Sequence, residues 1–246
     1  MKKINRISII DEVRGALIIL VIIYHTLYDL AVIFHVKELW VAYRTTHIFQ
    51  PFLPFMFILI SGIAFNLSRN NIKSGLILGA VAMAMTAATF LITPEYTVAF
   101  GVLHFLALAH IFFAIIQRFI GKPPTSVRVI ICALCVCLFA LTYSIQAGYI
   151  GIKGLFAVNL PEALYQNNYL MIFGFHTADF ISSDYNPVFP WIFIFITGIF
   201  AGGYVLKLPE AFKKLHIRPL AFIGRHTLII YIVHQPIIYG VLWLIC

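Results

Sequence analysis

Apolar runs of roughly 20 residues recur along the whole chain, separated by short polar connections. Twenty residues of helix rise about 30 Å, the thickness of a bilayer's hydrocarbon core. No water satisfies peptide groups at that depth, so such runs must be helical. The pattern predicts spans over about 12–34, 48–68, 73–93, 98–118, 128–147, 187–206 and 219–244. The expected fold class is all-α: a polytopic membrane helix bundle of about seven transmembrane helices, forming a single domain over 1–246. No internal repeat is evident, so an inverted-repeat transporter gains no support.

Composition agrees with that reading. Hydrophobic residues make up 62% of the 246 positions and charged residues 11%, whereas about a quarter of a soluble domain is charged. The net charge of +8 would suit a nucleic-acid partner, but the placement of the charges argues against one. With alternating sides, Lys2, Lys3, Arg6, Arg69, Lys73, Arg118, Lys122, Arg128, Lys207, Lys213, Lys214 and Arg218 share one side. The other side holds Lys37, Arg44 and Lys153. This is the positive-inside pattern, with the N-terminus cytoplasmic and, for seven spans, the C-terminus outside. The basic surplus is a topology signal first. Second, it can attract anionic lipid or a phosphorylated cosubstrate.

The basic start and apolar run of residues 1–34 resemble a signal peptide. The run is too long for an h-region, however, contains His25 and Asp29, and lacks a small-residue cleavage site. It is expected to be a retained helix. Cys132, Cys135 and Cys137 fall within one span and Cys246 is terminal, a pattern of neither disulfides nor zinc. No metal is expected. Short cytoplasmic connections are predicted at Ser68–Ile72, Gly121–Arg128 and Leu208–Pro219, the last as an amphipathic interfacial piece. The long non-spanning region, about 148–186, is extracytoplasmic and rich in Asn, Tyr and Phe. A segment of that length in so compact a protein is usually functional.

Ionisable residues inside spans are costly and mark sites by default. On the first helix, Asp11, Arg14, Ile18, Ile22, His25 and Asp29 fall within about an 80° arc. Asp11 and Arg14 sit at the cytoplasmic edge, His25 lies about 17 Å further along the axis, and Asp29 is one turn beyond. Asp29 can orient a neighbouring imidazole or hold it protonated. The bland alternative is a polar seam that only joins helices. His104 and His110 lie in the fourth span, and His234 enters the last helix to a depth comparable with His25.

The residues along this chain resemble the heparan-alpha-glucosaminide N-acetyltransferase catalytic-domain family, within the transmembrane acyltransferases. The resemblance is carried by Arg6-Ile-Ser-Ile-Ile-Asp11-Glu-Val-Arg14-Gly15 running into His25-Thr-Leu-Tyr28-Asp29-Leu30. It continues in Pro54-Phe-Met-Phe-Ile-Leu-Ile-Ser61-Gly62, Phe100-Gly-Val-Leu-His104, Asp184-Tyr-Asn-Pro187-Val-Phe-Pro190-Trp191 and Gly224-Arg225-His226-Thr-Leu-Ile-Ile-Tyr231-Ile-Val-His234-Gln235-Pro236. It implies a short bacterial member in the inner membrane that moves an acyl group, acetyl by expectation, from cytoplasmic acyl-CoA to an extracytoplasmic acceptor such as a sugar. The implied catalytic group is His25, His47, Asp29 and His234. The implied group around acyl-CoA is Asp11, Arg14, Arg225 and His104, with the arginines on its phosphates. In lysosomal members the proposed active-site histidine lies between the first two helices, where this chain has His35 and His47. The essential histidine is therefore left open among His25, His35 and His47.

His25 would act as general base toward the acceptor or as nucleophile in a double displacement. Expected partners are the lipid bilayer, acyl-CoA and a glycan or other small acceptor, with a homodimer among the open oligomeric states. Two other classes compete. One is a proton- or solute-coupled transporter using His25, Asp29 and His234 as a relay; the other is a structural or sensory membrane partner.

Overall fold

A computed structural model of the chain describes residues 7–119, 121, 123–205, 207–209 and 217–245. Lys2, Lys3, Arg6 and Lys122, and most of the amphipathic piece expected at Leu208–Pro219, lie outside the described residues.

The first helix, α1 (Ser8–Tyr28), runs directly into a π-helical turn, Asp29–Ile33. A 3₁₀ turn and α2 (Trp40–His47) follow, then α3 (Phe52–Phe65). Lys37–His47 and α3 are bent by 44°, with Pro51 and Pro54 withholding amide donors around the start of α3. Next come α4 (Asn71–Ile92), α5 (Val102–Ile116) and α6 (Thr125–Thr142). The side chain of Asn70 starts α4 by accepting the Lys73 N–H at 2.9 Å. A hairpin of β1 (Tyr149–Ile152) and β2 (Phe156–Asn159) precedes α7 (Val188–Val205), α8 (Arg218–Arg225) and α9 (Thr227–Ile245).

Among the described residues, five helical stretches are long and apolar enough to cross a bilayer: Ser8–Ile33, Asn71–Ile92, Thr125–Ala147, Val188–Val205 and Thr227–Ile245. The bent pair raises the number to six. The apolar α5 has 15 residues, a rise of only about 22 Å. The fold is thus the expected all-α polytopic bundle, with the hairpin as its one excursion into sheet among the described residues.

One expected span is divided. The pattern predicted continuous helix over 219–244, but the backbone leaves helical geometry at His226 (φ −105°, ψ 13°), separating α8 from α9. At the break, Thr227 Oγ1 donates to the Gly224 carbonyl at 2.7 Å, and the His226 N–H donates to the Ile223 carbonyl at 3.0 Å. These bonds use groups that a continuous helix would pair further along.

The chain forms two compact units, one from residues up to Ile60 together with those from Lys207, the other from Ser61 to the end of α7. In the first unit, α1 packs against α2, α8 and α9. Its contact with α8 is made backbone to backbone. A Cβ on Gly15 would strike the Leu220 carbonyl, and one on Gly224 would strike that of Asp11. Small residues are what allow such an approach. Leu17, Ile18, Val21 and Ala221 are buried in this unit.

In the second unit α4 packs on α5, and α7 packs on α5 and α6. Phe105, Ile194 and Phe195 fill the core, and the buried His110 ring lies 5.6 Å from Phe65 and 5.3 Å from Phe195. The segments before α5 and α7 are stitched together. Asn186 N–H donates to the Phe100 carbonyl at 2.9 Å, and Ala99 N–H donates to Ser182 Oγ at 3.0 Å. The Asp184 carboxylate accepts the Val102 N–H at 3.1 Å, capping the start of α5 with negative charge.

Candidate active site

The first unit gathers most of the ionisable residues expected to matter. Along α1 and the π turn that continues it, Asp11, Ile18 and Asp29 are buried and Arg14, Ile22 and His25 are half-buried, whereas Leu20 and Ile23 are exposed. The polar stripe therefore faces protein and the apolar Leu20 and Ile23 face outward, the arrangement that the cost of intramembrane charge favours.

His25 and His234 meet. Their rings lie edge to face with centroids 5.0 Å apart. His234 Nδ1 lies 2.7 Å from the Tyr231 carbonyl. That contact requires a proton on Nδ1, so a neutral His234 presents an Nε2 lone pair. One turn beyond His25, Asp29 is fully buried at the head of the π turn. Its partner is Gln235, whose Nε2 lies 2.9 Å from Oδ1 and 3.0 Å from Oδ2. Two neighbouring residues of α9 thus engage His25 on α1 and Asp29 one turn beyond it, at the head of the π turn. Asp29 is expected from the sequence to orient a neighbouring imidazole or hold it protonated; in the structure its carboxylate is bonded to the Gln235 amide.

The other side of His25 opens onto an aromatic cluster. The Tyr24 ring lies 5.7 Å from His25, and its hydroxyl is 3.1 Å from Nδ1 of His47. Tyr43 stacks on His47 at 5.6 Å and approaches Tyr28 and Trp40, each at 5.7 Å. Tyr24 thus lies between His25 and His47, two of the three histidines that the sequence leaves in competition. His47 is exposed. His35 is exposed too, and its φ of 57° places it in the left-handed region, where histidine is more tolerated than most side chains.

Asp11 and Arg14 lie on the part of α1 that meets α8. Arg225, at the end of α8, is exposed and donates from Nε to the Ala221 carbonyl at 3.1 Å. His104 belongs to the second unit. There Gly101 N–H donates to its Nδ1 at 3.2 Å, so Nε2 carries the proton and donates to Thr86 Oγ1 at 3.1 Å. Thr86 passes the chain on to the Val98 carbonyl at 2.6 Å. Both ring nitrogens are occupied in fixing the start of α5.

These observations define a polytopic helical membrane protein with a histidine pair and a carboxylate–amide pair between its first and last helices. Residues 6–236, nearly the whole chain, match the family described as heparan-alpha-glucosaminide N-acetyltransferase, catalytic, and the chain belongs to that family. No curated protein and no solved structure matches it. Membership supports a membrane-embedded transferase function of the acetyltransferase type.

Proposed function

We propose that the protein transfers an acyl group, acetyl in the simplest case, from acyl-CoA on the cytoplasmic side to a hydroxyl or amine of an extracytoplasmic acceptor, a sugar or amino sugar. The observation that carries this reading is the His25–His234 pair within the apolar bundle of a family-typical chain. In the transfer, the acceptor heteroatom attacks the thioester carbonyl and loses its proton to the imidazole of His25. The carbon–sulfur bond then breaks, and the CoA sulfur takes up a proton as thiol. A positioned imidazole contributes about 10²–10⁴-fold to such a step.

His234 supports the orientation of His25 at edge-to-face distance. Arg14 and Arg225 supply charge-assisted donors for CoA phosphates, and Asp11 shapes the same end of α1. His47, held by Tyr24 and stacked on Tyr43, contributes at the acceptor side. The aromatic surface of Tyr24, Tyr43 and Trp40 suits a sugar ring, since aromatic faces bury apolar area beside polar tips. The setting is the bacterial inner membrane.

The test is calorimetric titration of CoA into the purified, folded protein, together with slow hydrolysis of acetyl-CoA. Binding and turnover are expected, with turnover lost in His25→Ala. A folded sample that binds no CoA overturns the reading. A coupled transporter, by contrast, would move solute with pH and consume no acyl-CoA.

A further inference from the structure

The β hairpin between α6 and α7 turns an apolar face outward. Its antiparallel register sets Ile150 opposite Val158 and Ile152 opposite Phe156. Side chains alternate along a strand and opposed residues share a face, so these four form one side of the ribbon. Every position on that side is apolar. The other side holds Tyr149, Gly151, Ala157 and Asn159. Ile152 is 42% exposed, Phe156 55%, Val158 64%, and Leu155 in the turn 79%. Gly154, at φ +97°, takes the left-handed backbone that this turn requires.

Two further observations say what covers this face. The first is continuity. β1 packs on α6, a helix long and apolar enough to span, whose Ile130, Leu134 and Val136 face outward and are 65%, 56% and 51% exposed. Tyr143 ends that helix half-exposed, and tyrosine is enriched at the headgroup level of spanning helices. The hairpin follows after one 3₁₀ turn, Ile145–Ala147. The second observation is charge. Lys153, in the turn, is the basic residue next to this apolar tip, and a cation beside apolar side chains suits the phosphate and acyl boundary. The backbone of the two strands is paired within the hairpin, while the outer edge of β2 needs the water and headgroups available at that boundary but not deeper.

We infer that this hairpin is a membrane-interface anchor. The face of Ile150, Ile152, Phe156 and Val158, with Leu155, is seated in the outer leaflet at the headgroup–acyl boundary, and Lys153 lies among the lipid phosphates.

The experiment compares tryptophan placed on the two faces of β2 in the full chain. Phe156→Trp and Ala157→Trp proteins are reconstituted in phosphatidylglycerol–phosphatidylethanolamine nanodiscs, with or without bromine near the headgroup end of the acyl chains. Emission of the parent protein's three tryptophans is subtracted. The added emission of Phe156→Trp is expected to be blue-shifted and mostly lost on bromolipid, with little quenching by aqueous iodide. Ala157→Trp should show the reverse. If a variant does not fold, Leu155→Trp at the open turn is used, with the result expected for Phe156→Trp. Equal iodide quenching on both faces, without bromolipid quenching, overturns the inference. Protection from both quenchers, together with intermolecular cross-linking through Leu155→Cys, also overturns it by assigning the face to a second copy of the chain.

Discussion

Gln235 and Asp29 are joined by a bidentate hydrogen bond, 2.9 and 3.0 Å from one amide nitrogen to the two carboxylate oxygens. The carboxylate is fully buried. The bond links the π turn that ends the first helix to the residue after His234. Because His25 lies one turn before Asp29, the same link sets the register in which the two histidine rings meet. In the proposed transfer, Asp29 and Gln235 would act as positioning residues, one step removed from the chemistry.

Removing the amide should expose that dependence. Gln235→Leu leaves a buried carboxylate without its donor, at a cost of about 1–3 kcal/mol. It should lower the thermal midpoint in detergent and reduce acetyl-CoA hydrolysis. Asp29→Asn combined with Gln235→Glu keeps one carboxylate and one amide but exchanges their sides. That double variant should recover the midpoint and most of the turnover. A double variant no better than Gln235→Leu alone would count against the clamp.

The α1–α8 contact makes a separate prediction. Gly15 and Gly224 each stand where a Cβ would collide with a carbonyl of the facing helix, and backbone cannot swing aside as a flexible side chain can. Gly15→Ala and Gly224→Ala should each destabilise by about 1–3 kcal/mol, the usual range for overpacking. Gly121→Ala, at a glycine with open space around its Cβ, should leave the midpoint near the parent value. Thermal unfolding of the three variants side by side checks this.

Much of this architecture was legible in the sequence, because hydropathy reports segment length directly. The stripe on α1 was legible for the same kind of reason: a 100° repeat assigns faces without knowledge of the partner. What it could not assign was the partner. Gln235 is an uncharged amide beside a proline in an apolar helix, and only the crossing of α1 and α9 shows that it faces Asp29. The division at His226 was also missed, since an average over 219–244 stays apolar although Gly224-Arg225-His226 interrupts it. Pro219 at the start of α8 was the available signal of a separate short helix. The stretches beginning at Phe100 and Asp184, far apart in the sequence, meet as one hydrogen-bonded unit around the start of α5. Contacts between residues 82 positions apart leave no periodic trace.

Arg14 and Arg225 test the cytoplasmic end. If they bind CoA phosphates, each provides a charge-assisted bond worth about 1.5–3 kcal/mol, so Arg14→Gln or Arg225→Gln should weaken CoA binding by roughly 10- to 100-fold. Turnover at saturating acetyl-CoA should change little. Titration calorimetry against CoA and against dephosphorylated pantetheine separates a phosphate contact from a general loss of fold. An unchanged CoA affinity in both variants would remove the phosphate assignment.

Tyr24 offers a way to decide between His25 and His47, because its ring borders the first and its hydroxyl bonds the second. Tyr24→Phe keeps the ring but deletes the bond to His47 Nδ1. If His25 is the base, this variant should retain turnover within about threefold, whereas His25→Ala should lose about 10²–10⁴-fold. His47→Ala should then raise the acceptor KM more than it lowers kcat. If His47 is the base, Tyr24→Phe should lower kcat and shift the acidic limb of the pH–rate profile, because the imidazole loses a partner that holds its orientation and tautomer. His25→Ala would then bind CoA with parent affinity and still turn over. Measuring kcat and KM for the acceptor across pH in Tyr24→Phe, His25→Ala and His47→Ala therefore separates the assignments. Retained turnover in His25→Ala would reject His25 as the base and move the chemistry to the outer end of the aromatic cluster.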